Sequence, residues 1–98
     1  MDFAFYRNFI TVAETGNLSA AAKRLGIVQP ALSAQMKAIE RNYGVQLFKM
    51  QRGKRHIELT EAGETFLQQA RQLCNTEDDI SLRMQAFGRR AAGTLRFS

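Results

Sequence analysis

Residues 18–43, reading LSAAAKRLGIVQPALSAQMKAIERNY, constrain this chain more than any other stretch. Ala20, Ala21 and Ala22 make a short helix whose small side chains let a second helix approach closely. Ser19 is placed to cap its start. Leu25 anchors its end, and Gly26 permits a sharp turn. Pro30, favoured in the first turn of a helix, opens another. Leu32, Met36, Ile39 and Tyr43 then follow at intervals of four, three and four, one apolar stripe that ends at Gly44. Two helices joined by so tight a turn form a helix-turn-helix.

The side opposite that stripe carries Ser33, Ala34, Lys37 and Arg41, with Gln29 just ahead of the first turn. A merely solvated helix tends to carry Glu/Lys pairs. Gln, Ser and Ala instead can lie close to base edges and the thymine methyl in a major groove. The competing reading is a structural helical hairpin, and only the flanking chain can decide between them.

Downstream, residues 45–59 read VQLFKMQRGKRHIEL. Leu47 and Phe48 are expected inside. His56, Ile57, Glu58 and Leu59 alternate like a short strand, and Gly53 supplies a turn. This predicts a β-hairpin, or wing, with Lys49, Arg52, Lys54 and Arg55 clustered on it and no acid among them. Residues 1–59 hold nine Lys or Arg against four Asp or Glu, whereas residues 60–98 hold five of each. The whole +5 net charge therefore belongs to the part with the paired helices, as an anionic partner requires. A groove-reading helix beside a phosphate-binding or minor-groove wing points to double-stranded DNA.

Upstream, Phe5, Phe9 and Val12 recur at helical spacing with Phe3, Tyr6 and Ile10 beside them, predicting a helix over residues 3–15 that stops at Gly16 and Asn17. Beyond the wing, Thr60 and the acids Glu61 and Glu64 open a long helix. Phe66, Leu73, Ile80 and Phe87 fall at strict intervals of seven, with Ala70 and Met84 at the companion position and Leu67 and Cys74 widening the seam. That is a coiled-coil pattern, and a second copy of the chain is its natural cover. Glu77 is the one exception in the seam. Arg89 to Gly93 read as a basic hinge, and TLRFS alternates like the start of a strand belonging to a longer protein.

Little speaks for catalysis. His56 is the single histidine and sits among basic residues, and Cys74 falls on the helical seam. Metal-ligand spacing, a glycine-rich phosphate loop and a carboxylate pair with a histidine partner are all missing. No cofactor, metal or enzymatic activity is expected, and Glu77, Asp78 and Asp79 read as solvated acids. A lone cysteine, the lack of a signal peptide and the lack of an 18-residue apolar run fit a cytoplasmic protein with no membrane contact.

The segments FITVAETGNLSAAAKRLGIVQPALSAQMKAIE, YGVQLF, LTEAG and GTLRFS, in that order, resemble the N-terminal DNA-binding region of LysR-type transcriptional regulators over essentially all 98 residues. The resemblance implies a bacterial protein, a winged helix-turn-helix, and a linker helix that pairs antiparallel with its copy. It also implies a following effector-binding domain that senses a small-molecule co-inducer, its first strand near Gly93 to Ser98, and tetramers at full length. It places DNA contacts at Gln29, Pro30, Ser33 and the wing arginines. Three positions depart from the family pattern: Val28 stands where a serine N-cap is common, Ala34 where an arginine contacts DNA, and Met50 where the wing has arginine.

The expected architecture is therefore mainly α. Residues 1–59 form a winged helix-turn-helix of three helices and a β-hairpin, residues 60–88 a dimerising linker helix, and residues 89–98 a hinge with the start of the effector domain. Gln29, Pro30, Ser33 and Lys37 are the expected base readers. Ser19, Arg41, Arg52, Lys54 and Arg55 are expected on the backbone, and Phe66, Ala70, Leu73, Ile80, Met84 and Phe87 in the dimer seam. Two-fold symmetry would set half-sites roughly 34–36 Å apart, or a multiple of that. A winged-helix protein of a different regulator family or a non-specific architectural DNA binder, and a protein-interaction module built on the coiled coil, are the competing classes.

Overall fold

A computed structural model describes residues 1–49 and 56–95, with side chains through residue 89. Helix α1 spans Ala4–Thr15, α2 Leu18–Leu25 and α3 Gln29–Tyr43. Strands β1 (Phe48–Lys49) and β2 (Glu58–Leu59) pair antiparallel, with Phe48 opposite Leu59 and Lys49 opposite Glu58. Helix α4 runs Glu61–Leu95.

The three short helices close around one apolar centre made of Phe9 and Val12 from α1, Ala21 and Ala22 from α2, and Leu32, Met36 and Ile39 from α3. Leu47 and Phe48 cap it from the hairpin side. Ala21 and Ala22 are buried between α2 and its two neighbours, and Leu18 and Leu25 pack against the core at the ends of the helix. Tyr43, expected to extend the stripe of α3, is half-exposed. It is the last helical residue, so its ring leans edge-on against Phe66, 5.6 Å between centroids, and its hydroxyl meets that of Tyr6 at 2.6 Å.

Caps set the helix ends. The start of α2 is capped by Asn17, whose Oδ1 accepts from the Ala20 amide at 2.8 Å, and not by Ser19. Starting the helix at Leu18 places Ser19 one residue inside it, where its hydroxyl serves another purpose. Gly16 closes α1 at φ +66°, and a Cβ there would also run into the His56 ring. The Ile57 amide donates to the Gly16 carbonyl at 2.8 Å, so the second wing strand is stitched to the α1–α2 turn.

The hairpin is held at its base by one acid. Glu40 turns inward from α3, and its Oε2 accepts from the amides of Leu47 (2.8 Å) and Phe48 (3.3 Å). Carboxylate-to-amide bonds of this kind are stronger than neutral ones. Glu40→Ala leaves two amides unpaired and is expected to cost about 1–3 kcal/mol in chemical denaturation, with the far-ultraviolet spectrum of the helices retained. Thr60 locks the other side: its hydroxyl donates to the Gln46 carbonyl at 2.7 Å and accepts from the Gly63 amide at 2.9 Å, capping α4.

The first half of α4 belongs to the core. Phe66 stacks on Tyr6 and meets Phe9 edge-on, with centroids 4.7 Å apart from Phe9. Leu67 packs on the core, and Ala70 and Cys74 are buried. Burial also raises the Cys74 thiol pKa, keeping it protonated. Glu77, the apparent flaw in the heptads, pairs with Arg7 of α1, as does Asp78 at 2.8 Å. Arg7 is held charged by these two carboxylates. Asp79 pairs with Arg83 at 2.7 Å. The three acids expected to be merely solvated are thus ion-paired at the surface.

Beyond residue 78 α4 leaves the domain and gives the molecule its 61 Å length. The helix continues through the stretch expected to be a hinge, and Thr94 and Leu95 are helical where a strand was expected to begin. Arg and Ala dominate residues 89–92 and are strong helix formers. A single glycine such as Gly88 or Gly93 costs only about 1 kcal/mol in a helix and does not stop it. Among the described residues, no helix is long and apolar enough to cross a membrane.

Candidate nucleic-acid interface

Helix α3 has one buried side and one open side. Leu32, Met36 and Ile39 are in the core, while Gln29, Pro30, Ala34, Lys37 and Arg41 are exposed and Ser33 is half-buried. Gln29, Ser33, Lys37 and Arg41 recur every four residues and form one slowly winding line along the helix. Glu40 is the one acid on α3, and its carboxylate is engaged with the hairpin amides. The open side presents Lys37 and Arg41, with the half-buried Glu40 between them turning its Oε2 to the hairpin amides.

The hairpin stands beside this line. A crevice of about 110 Å³ is lined by Ser33 and Lys37 from α3, Leu18 from α2, and Gln46, Phe48 and Ile57 from the hairpin base. The base of the hairpin thus lies on the side of α3 that carries the candidate readers, and Lys49, exposed on β1, adds a positive charge there. Arg52, Lys54 and Arg55, the expected backbone contacts of the wing, lie outside the described residues, as does Met50.

At the other end of the line, Val28 precedes α3 in an extended conformation and gives no side-chain cap. Gln29 is consequently the first helical residue and Pro30 the second. The Ser19 hydroxyl donates to Gln29 Oε1 at 2.9 Å, joining the start of α2 to the start of α3. A further side-chain bond, Asn8 Nδ2 to Gln35 Oε1 at 2.6 Å, ties α3 to α1. Sequence reasoning missed Asn8, Gln35 and the clamp role of Glu40, because each depends on a partner 7 to 27 residues away. Lys23 and Arg24, exposed in the last turn of α2, were also passed over; basic residues just before Gly26 suit a helix C-terminus.

The expected seam divides in two. Phe66 and Ala70 are packed within the chain itself, whereas Leu73, Ile80, Met84 and Phe87 are each between 41% and 58% exposed. Around the join lies an open groove of about 790 Å³ lined by Tyr43, Val45, Phe66, Ala70 and Leu73 among others. Among the described residues no cluster of three or more His, Cys, Asp or Glu is placed to hold a metal.

This geometry of three helices, a two-stranded hairpin and a long helix has counterparts. Residues 4–64 match the model of the bacterial regulatory helix-turn-helix proteins of the lysR family. The chain belongs to that family. It is similar to the HTH-type transcriptional regulator ClcR of Pseudomonas putida, 46% identical over 96 residues, which is 98% of this chain and 32% of ClcR. It is also similar to the DNA-binding domain of CbnR, solved as a complex with DNA: 42% identity, TM-score 0.83, covering 90% of this chain and 99% of that one. Full-length CbnR, solved with its target DNA, is 43% identical with a TM-score of 0.80 over 88% of this chain and 29% of that one. The lysR-family domain thus spans about a third of ClcR. Its relatives are transcriptional regulators, not enzymes, and its fold is the winged helix-turn-helix of the family. The expected order of three helices, a two-stranded hairpin and a long helix is the one found.

Proposed function

We propose that this chain binds double-stranded DNA site-specifically as a homodimer, with α3 in the major groove and the wing on the backbone or in the minor groove. The observation that carries the reading is the open line of Gln29, Ser33, Lys37 and Arg41 on a helix whose other side is core, flanked by the base of a basic hairpin. The likeness to a regulator domain solved on DNA supports it.

In this reading Gln29 faces an adenine edge, since its amide can accept from N6 and donate to N7 together. Pro30 and Ser33 lie against neighbouring bases, with Lys37 reaching a base or a phosphate. Arg41, Arg52, Lys54 and Arg55 neutralise phosphates and make binding salt-dependent. Gln29→Ala is expected to cost about 1–3 kcal/mol on the preferred site and to flatten selection at one base pair. Titration of the selected and a scrambled duplex checks this; equal losses on both would remove Gln29 from base reading. DNA binding that does not depend on salt, or none at all, would instead favour a protein-interaction module.

The dimer follows from α4. An antiparallel two-fold centred near residue 77 brings Leu73 against the partner copy's Ile80 position, Ala70 against its Met84 position and Phe66 against its Phe87 position. The groove beside Phe66, Ala70 and Leu73 would then receive the exposed apolar end of the partner helix. In the whole protein, as the family resemblance implies, the small-molecule effector would bind outside these residues, the assembly would be a tetramer, and the work would be done on the bacterial nucleoid.

A further inference from the structure

We infer that Ser19 is a positioning residue for base recognition: its hydroxyl tethers the Gln29 amide in the free protein, so that the reading group is already oriented before DNA arrives. The inference rests on the proposed base-reading role of Gln29 and extends it to a residue on another helix.

Three observations carry it. First, Ser19 is released from capping, because Asn17 Oδ1 takes the Ala20 amide at the start of α2. Second, the Ser19 hydroxyl spans to Gln29 Oε1 at 2.9 Å, although both residues are exposed and no core packing forces the pair together. Third, α3 does not hold Gln29 itself. Val28 makes no side-chain cap, and the amides of Ala31 and Leu32 in the first turn are taken by the Val28 carbonyl and not by the Gln29 side chain.

The chemistry fits a reader. A carboxamide oxygen has two acceptor sites and its nitrogen two donors. The Ser19 bond occupies one acceptor site of Oε1, leaving the second acceptor and both N–H groups of Gln29. An adenine edge needs one acceptor and one donor in the same plane. Glutamine is otherwise among the side chains with the most rotamer freedom to lose, and a tether formed beforehand lessens that loss on binding. Ser19 therefore acts on sequence preference through Gln29, without contributing its own contact to a base or a phosphate.

The test uses the 98-residue chain and the duplex that it selects from a random pool, together with all single-base-pair substitutions of that duplex and a scrambled one. Ser19→Ala is expected to weaken the selected duplex about three- to tenfold, the range of one net hydrogen bond. It should flatten preference at the same base pair as Gln29→Ala, with the scrambled duplex, salt slope and melting temperature unchanged. Ser19→Thr, which keeps the hydroxyl, should restore the preference. In the Gln29→Ala background, Ser19→Ala should cost nothing more. Three results overturn the inference: an equal loss on selected and scrambled DNA with a shallower salt slope, which marks a phosphate contact; a loss that persists in the Gln29→Ala background; or no change. A Gln29→Ala variant that flattens no base pair overturns the base-reading role itself, whereas a flattening by Gln29→Ala alone overturns only the tether.

Discussion

Ile80→Glu is expected to turn the proposed dimer into a monomer while leaving the domain folded. In the single chain Ile80 is 53% exposed on the free half of α4 and lies outside the core cluster, so the change removes no core contact. In the proposed antiparallel seam it faces Leu73 of the other copy, and symmetry inserts the charge twice. A buried, unpaired carboxylate costs several kcal/mol, or protonates instead. Even about 4 kcal/mol raises the dimer dissociation constant roughly a thousandfold. Sedimentation equilibrium measures it directly. An unchanged dimer mass at micromolar concentration would refute the seam, while a lost melting transition would show that the residue has a fold role within the chain. The monomer should still bind a half-site, but without the gain from two helices held at fixed spacing.

Gly63→Ala is expected to be the most damaging single methyl in the domain. A Cβ at Gly63 would overlap the Leu47 carbonyl oxygen and press on the Leu59 side chain. The obstacle is backbone, and that carbonyl is already the acceptor for the Thr60 amide at 3.0 Å. Relief therefore means lifting the first turn of α4 from the hairpin base and loosening Phe66 from Phe9 and Tyr6. Forcing atoms into such a contact typically costs about 1–3 kcal/mol and occasionally more. The upper end is expected here, because the Thr60 cap, Leu47 and Leu59 move together. Urea denaturation should show a lower midpoint with an unchanged slope. A midpoint within error of the parent would mean that α4 sits farther from Leu47 than the geometry has it.

Both predictions turn on contacts that join distant parts of the chain, and these were the hardest to read from sequence. Periodicity located α1, α3 and α4, because a buried stripe at three- and four-residue spacing leaves its trace in the apolar pattern whatever it packs against, and the alanine run located α2. The glycines at positions 16, 26 and 44 marked the helix ends. The outward line of Gln29, Ser33, Lys37 and Arg41 was legible as the complement of the stripe Leu32, Met36 and Ile39. The cap of α2 was misassigned by two residues, since Asn17 and Ser19 are both good caps and only the backbone start at Leu18 separates them. The helix end expected at residue 88 failed because glycine lowers helix propensity without forbidding the helix, and Gly88 is contained within α4.

The heptads of α4 show the same division. Residues 66–87 carry an apolar heptad repeat interrupted at Glu77, and sequence alone shows that its apolar side chains favour being covered. Tertiary structure decided by what. Phe66 and Ala70 pack against α1 and the core of their own chain, Glu77 pairs with Arg7, and Leu73, Ile80, Met84 and Phe87 stay exposed. Likewise the residue types at 19 and 29 were plain from the start, but the bond between their side chains was not. A hydrophobic pattern is a property of each segment and can be read locally. A shared hydrogen bond or a choice of packing partner depends on how two segments are placed in space, and the chain's own folding sets that placement.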